Sequence, residues 1–220
     1  MGDIILAGST SGSITVAPPA VAGSGTLTLP TGTDTLVGLA ATQTLTNKSI
    51  VATQLTGTVA AARLPAGSVL QVVSTTKTDV FTTTSVIPTF ASVTGYAVAI
   101  TPSSASNKVL VQGTFTASIS TATAHAFLKI QRNGTDICIG DAAGSRIRST
   151  NDIQIFHASN PDCFSFSILD SPATTSAVTY QAVVACQSTY TFALNRDATN
   201  TDDALTGRFA STITAMEIQG

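Results

Sequence analysis

Between Lys108 and Ile119 the chain alternates with a period of two. Val109, Val111, Gly113, Phe115, Ala117 and Ile119 fall on one face, and Gln112, Thr114, Thr116 and Ser118 on the other. Successive side chains of extended backbone point to opposite sides, so this pattern predicts a strand half-buried against a core. Apolar runs of strand length recur at residues 69–73, 96–100, 153–156, 164–169, 178–186, 190–194 and 208–218. Turn-forming residues separate them, as in Thr101-Pro102-Ser103-Ser104-Ala105-Ser106-Asn107. About eight strands at such spacing predict an antiparallel β-sandwich, a jelly-roll or TNF-like head, over residues 67–220. No amphipathic helical period emerges, although residues 56–64 have room for one turn.

The sharpest local signal is Asn133-Gly134, between Phe127-Leu128-Lys129-Ile130-Gln131-Arg132 and Thr135-Asp136-Ile137-Cys138-Ile139. Asn-Gly supplies the two positive φ angles of a type I′ turn, and a two-residue hairpin fixes the register. Arg132 should then face Thr135, Ile130 face Ile137 and Leu128 face Ile139, with Lys129 opposite Cys138 on the other side.

Residues 1–66 read differently. Their only charged side chains are Asp3, Asp34, Lys48 and Arg63, and Gly, Ser, Thr, Ala and Pro dominate. Short alternating pieces, Ser13-Ile14-Thr15-Val16, Gly25-Thr26-Leu27-Thr28-Leu29 and Thr35-Leu36-Val37, are each too brief to stand by themselves. They predict an extended segment of intertwined β-structure and loop, whose strands are completed by other chains. A flexible linker has similar polarity, but the recurring Leu, Ile and Val weigh against it.

Composition sharpens this picture. Only 10% of the 220 residues are charged, the net charge is −2, and 43% are hydrophobic. Ordinary soluble chains carry about 25% charge, so this one is expected to bury much of its surface between subunits. Scattered basic residues give no footprint for nucleic acid or an anionic membrane surface. No apolar stretch reaches membrane-spanning length, and no basic region precedes the short apolar run at residues 4–6 as a secretory signal would require. Cys138, Cys163 and Cys186 form no paired motif and are expected to be reduced and buried.

The chemistry on offer is thin. Glu217 is the single glutamate, and His125 and His157 lack partners at metal-ligand spacing, so both histidines are expected to be structural and no metal or cofactor is expected. A triad built from His157, Asp152 and one of many serines lacks a nucleophile elbow. Asp202-Asp203 lies in an oxygen-rich stretch without the spaced ligands of a calcium loop, which leaves a solvated loop as its reading. No catalytic residues are expected, and the chain is not read as an enzyme.

Several segments together resemble the N-terminal regions of tailed-bacteriophage fibre and virion-surface proteins. They are Gly12-Ser13-Ile14-Thr15-Val16-Ala17-Pro18-Pro19, Gly23-Ser24-Gly25-Thr26-Leu27-Thr28-Leu29-Pro30, Thr42-Gln43-Thr44-Leu45-Thr46-Asn47-Lys48-Ser49-Ile50 and Leu55-Thr56-Gly57-Thr58-Val59-Ala60-Ala61-Ala62-Arg63-Leu64-Pro65. The carboxy-terminal part, with Ile100-Thr101-Pro102-Ser103-Ser104 before Lys108-Val109-Leu110-Val111 and the Asn133-Gly134 hairpin, is similar to small jelly-roll heads on phage fibres and capsid decorations.

The resemblance implies a homotrimeric structural protein of a phage particle, assembled in the bacterial cytoplasm and displayed on the virion surface. Its partners would be its own copies and the major capsid protein or another virion protein. The short stalk favours a capsid decoration, cement or head-fibre protein over a long tail fibre. Ile4, Ile5, Leu6, Ile14, Val16, Leu27 and Leu29 are the apolar anchors that capsid docking would use. The rival is a short tail fibre or receptor-binding protein that recognises host surface glycan, which would need exposed rings such as Tyr96, Tyr190 or Phe192.

Overall fold

Apart from one 3-10 turn at Ala61–Arg63, the regular structure among the described residues is all strand. The computed structural model describes residues 4–7, 10–16, 57, 59–158, 160–200 and 202–220, and the chain divides after residue 56 into two units.

In the first unit β1 (Ile4–Ala7) and β2 (Ser13–Val16) pair antiparallel, with Ile4 opposite Val16, Ile5 opposite Thr15 and Leu6 opposite Ile14. Within the chain, β1 is the partner of the strand at residues 13–16 along one edge. Gly12, at φ 79°, supplies the left-handed residue next to the reversal. Leu27 and Leu29, and the strands expected around them, lie outside the described residues.

The second unit contains β3 (Val69–Lys77), β4 (Phe81–Thr83), β5 (Ala91–Ile100), β6 (Lys108–Ile119), β7 (His125–Arg132), β8 (Thr135–Ile137), β9 (Asn151–Gln154), β10 (Asp162–Asp170), β11 (Val178–Cys186), β12 (Phe192–Leu194) and β13 (Ser211–Ile218). One sheet runs β3–β13–β6, with β10 on the other edge of β6 and the short β12 and β4 prolonging its far end. The other runs β5–β11–β7, and β7 pairs successively with β9 and β8. From β5 to β11 the chain passes repeatedly between the sheets, giving the antiparallel jelly-roll sandwich that the alternating pattern predicts.

The inward positions are those the period-two pattern selects. Val109, Val111, Phe115, Ala117 and Ile119 of β6 are buried, facing Val98, Ile100, Leu128, Ile130 and Val184 of the opposite sheet in one core. Tyr96 crosses that core from β5, and its hydroxyl donates to the carbonyls of Thr114 (3.2 Å) and Thr212 (3.0 Å) in the facing sheet. Val93 and Tyr96 both face inward because Gly95, at φ 79°, forms a bulge between them. A second inter-sheet clasp joins Arg132 and Tyr180 to Asp170 of β10. Arg132 Nη1 lies 2.9 Å from both carboxylate oxygens, and the Tyr180 hydroxyl donates to one of them at 2.7 Å. Burial first, and then the Asp170 carboxylate, push the Tyr180 phenol far above its ordinary range, so it remains a donor.

Gly113 is required by this packing. A Cβ there would overlap the ring of Phe166 and the hydroxyl of Tyr96. Gly113→Ala should therefore destabilise the head by about 1–3 kcal/mol, read as a lowered thermal midpoint at fixed protein concentration. An unchanged midpoint would show that the core accommodates the methyl group without strain.

Three local expectations are corrected. The hairpin pairs Arg132 with Thr135 and Ile130 with Ile137, but β8 stops there, and Leu128 pairs with Asn151 of β9 instead of Ile139. The cause is a positive φ of 50° at Cys138, which turns the chain out of the strand and removes Cys138 from opposite Lys129. Cys138 and Cys163 are exposed and only Cys186 is buried, all three being free. Cys163 precedes the inward Phe164 in β10, so alternation places it outside. Ser118, expected on the polar face of β6, is buried, and its hydroxyl donates to the carbonyl of Arg196 at 2.9 Å.

Candidate interaction face

The outward side of the β10–β6–β13–β3 sheet is built in rows by the strand register. Leu169, Leu110, Met216 and Val72 form one row across the four strands. Ser167, Gln112, Thr214 and Ser74 form the next, and Ser165, Thr114, Thr212 and Thr76 the third. None of these positions carries a charge. Lys108, one register step beyond the aliphatic row, stands at the rim.

Hydroxyl pairs run across the strands here. Ser74 Oγ lies 2.9 Å from Thr214 Oγ1, and Gln112 Nε2 donates to Ser167 Oγ at 3.3 Å. In the aliphatic row Val72 and Leu169 are 58% and 56% exposed, values that mark an apolar strip open to its surroundings. Because serines and threonines are short, the middle of the face is a shallow concavity of about 470 Å³ over Gln112, Thr114, Ser165, Ser167 and Thr214.

The outward side of the β5–β11–β7–β9 sheet contrasts with it. Lys129, Asp136, His125 and Asp152 all lie there, in paired arrangements. Lys129 Nζ is 2.7 Å from Asp136 and sits 4.2 Å from the centre of the Phe90 ring. Burial opposes the charge on Asp136, but hydrogen bonds from Lys129 and Gln131 outweigh it and hold its carboxyl below the usual range.

Glu217 lies on the buried side of β13, 1% exposed, and is held by neutral donors. Gln71 Nε2 donates to Oε2 at 2.6 Å, while Oε1 accepts from the Ser103 N–H (2.6 Å), the Ser103 hydroxyl (2.7 Å) and Asn107 Nδ2 (2.6 Å). Burial raises its pKa, yet the hydrogen bonds from Asn107, Gln71 and Ser103 win, and the carboxyl stays below the ordinary glutamate range. A carboxylate engaged in this way ties the 101–107 turn to the last strand.

The structure does not assemble the residues from which a triad was imagined. Asp152 pairs with His125, and His157 is exposed. Among the described residues no group of three or more His, Cys, Asp or Glu side chains is placed to share a metal ion. Asp203 accepts the Leu205 N–H at 2.8 Å in a local turn. Of the rings suggested for a glycan surface, Tyr96 and Phe192 lie in the core, and Tyr190 is partly buried against it. Of the docking anchors, Ile4, Ile5, Leu6, Ile14 and Val16 are brought together in the β1–β2 hairpin, which β2's alternation alone did not reveal. No helix among the described residues is long and apolar enough to cross a membrane. Compared with known proteins, the chain matches no family model, and no curated protein matches it.

Proposed function

We propose that this chain is a homotrimeric structural protein of a bacteriophage particle, a capsid decoration, cement or head-fibre protein. In this reading it docks through its N-terminal segment and displays the jelly-roll head. The observation that carries the reading is the uncharged outer face of the β10–β6–β13–β3 sheet. Close to a threefold axis the same residue of all three copies converges, so a charge placed there would approach its own like. A face of hydroxyls and aliphatics avoids that repulsion and supplies apolar area with self-paired polar groups.

The virion setting rests on the sequence resemblance of residues 12–65 and on the β1–β2 hairpin. A two-stranded hairpin is marginal in water by itself and gains stability when it is seated on a partner surface. Five of the seven docking anchors belong to that hairpin.

Immunogold labelling of intact particles from cells that make the chain, with antibodies against the full-length protein, tests the reading. Label distributed over capsids is the expected result. Label confined to tails would replace the decoration role by that of a receptor-binding fibre, and unlabelled particles would overturn the virion assignment.

A further inference from the structure

The tip of the β7–β8 hairpin joins a reactive dipeptide to a structural restraint. Of the seven asparagines, Asn133 is the one followed by glycine. The backbone nitrogen of the next residue can attack an asparagine side chain, and glycine, with no Cβ, leaves that nitrogen unshielded. Asn133 and Gly134 are both exposed, and nothing lies within 4 Å of where a Gly134 Cβ would stand, so the tip is open to water.

The fold sets the geometry against that attack. Asn133 and Gly134 have φ of 48° and 83°, the two left-handed residues of a type I′ turn. Such a turn holds ψ of its first central residue at about 30°. About the Asn133 Cα–C bond, Cβ then lies nearly opposite the Gly134 nitrogen, and the five-membered ring between that nitrogen and Cγ cannot close. β11 restrains the side chain as well. The Asn133 N–H donates to the Thr179 carbonyl at 2.9 Å, and the Thr179 N–H donates to Asn133 Oδ1 at 2.8 Å. These bonds lie one step past the Arg132–Tyr180 pair of the β7–β11 ladder, and the carboxamide oxygen supplies the acceptor that a strand's own carbonyl would supply. Ring closure therefore requires the turn to unwind and the bond from Thr179 to Oδ1 to break.

We infer that Asn133 is the chain's site of spontaneous deamidation and that opening of the β7–β8 tip gates the reaction. In the opened tip the Gly134 nitrogen loses its proton and bonds to Asn133 Cγ. The Cγ–Nδ2 bond breaks and ammonia leaves, which gives a cyclic imide. Water then opens the imide: cleavage between the Gly134 nitrogen and Cγ leaves aspartate, and cleavage between that nitrogen and the main-chain carbonyl carbon leaves isoaspartate. Aspartate keeps an acceptor for the Thr179 N–H. Isoaspartate routes the main chain through Cβ and Cγ and adds one atom to a two-residue turn, so the tip cannot close again in its original register. A transient opening thereby becomes permanent. The inference rests on the hairpin alone and is independent of the virion reading.

Peptide mapping by mass spectrometry tests it, on the full-length protein incubated at mildly alkaline pH, folded and in concentrated urea. In urea Asn133 should convert ahead of the other six asparagines. In the folded protein its conversion should be slower by about tenfold or more, the margin set by how rarely the tip opens. Ile137→Ala removes the cross-strand partner of Ile130 from β8 and should raise conversion in the folded protein severalfold. If that variant does not fold, the wild type still decides, because low urea concentrations that speed hydrogen exchange at the Thr179 N–H should speed conversion of Asn133 by the same factor. Equal rates in folded and unfolded chains, or faster conversion of another asparagine in urea, would overturn the inference. So would conversion indifferent to Ile137→Ala in its folded state or to exchange at Thr179.

Discussion

Glutamate substitution at both Thr114 and Ser167 should convert the proposed trimer into 22.3-kDa single chains at micromolar concentration. Both side chains are exposed on the uncharged face, within its hydroxyl rows, and belong to adjacent strands. In the isolated chain the new carboxylates would be solvated, so the fold should be little affected, within about 0.5 kcal/mol per surface substitution. In the assembly each would be buried without a cation, at a cost of about 3–5 kcal/mol. Each such charge therefore weakens association by roughly a hundredfold or more.

Light scattering coupled to gel filtration measures the mass directly. Thr179→Glu, on the outer side of the other sheet, should leave the trimer intact. A wild-type protein of monomeric mass would sink the trimer itself. A trimer untouched by the paired glutamates would move the contact to some other face.

The second large effect concerns Glu217. Replacing it by alanine removes the acceptor for the Gln71 and Asn107 amides and for the Ser103 N–H and hydroxyl, and should cost about 3–5 kcal/mol. Glu217→Gln keeps the shape but turns an amide N–H toward groups that also donate, and should cost about 1–3 kcal/mol at neutral pH.

The pH dependence has a definite sign. The folded-state pKa of Glu217 lies below its ordinary value of 4.5. Its ionised form therefore contributes stability in full above that unfolded value, and the contribution is lost as pH falls through the folded pKa. Urea unfolding at a fixed chain concentration should show the gap between wild type and Glu217→Gln wide at pH 7 and closing below about pH 4.5, where protonated glutamate and glutamine become near-equivalents. A gap that persists undiminished at pH 3 would mean that shape, and not charge, governs the site.

The strands with a long uninterrupted period were legible from the chain, because alternation over many residues leaves one choice of inward face. β6 is of this kind over most of its length, and the type I′ turn at Asn133-Gly134 set the start of β8 for an equally local reason, whereas β13 turns Glu217 inward and Met216 outward against their residue types. Short elements were not. β4 is three residues long, and β8 ended early because Cys138 adopts a positive φ that its residue type does not announce. The exposure of Cys163 was implicit in its place before Phe164, but only once Phe164 was known to face the core.

What the sequence determined by itself was the class of fold and the scarcity of charge, since both are properties of residue type and short-range order. What the tertiary structure decided was grouping. Leu169, Leu110, Met216 and Val72 become one row through three strand pairings, and Glu217 meets Gln71, Ser103 and Asn107 through contacts of 110 to 146 residues in sequence separation. Likewise, Asp152 was assigned to His125 by the β7–β9 register, when sequence proximity suggested His157. Alternation gives each strand its two faces, but the order and register of the strands fix which residues share them, and that order is set by closing one core between two sheets.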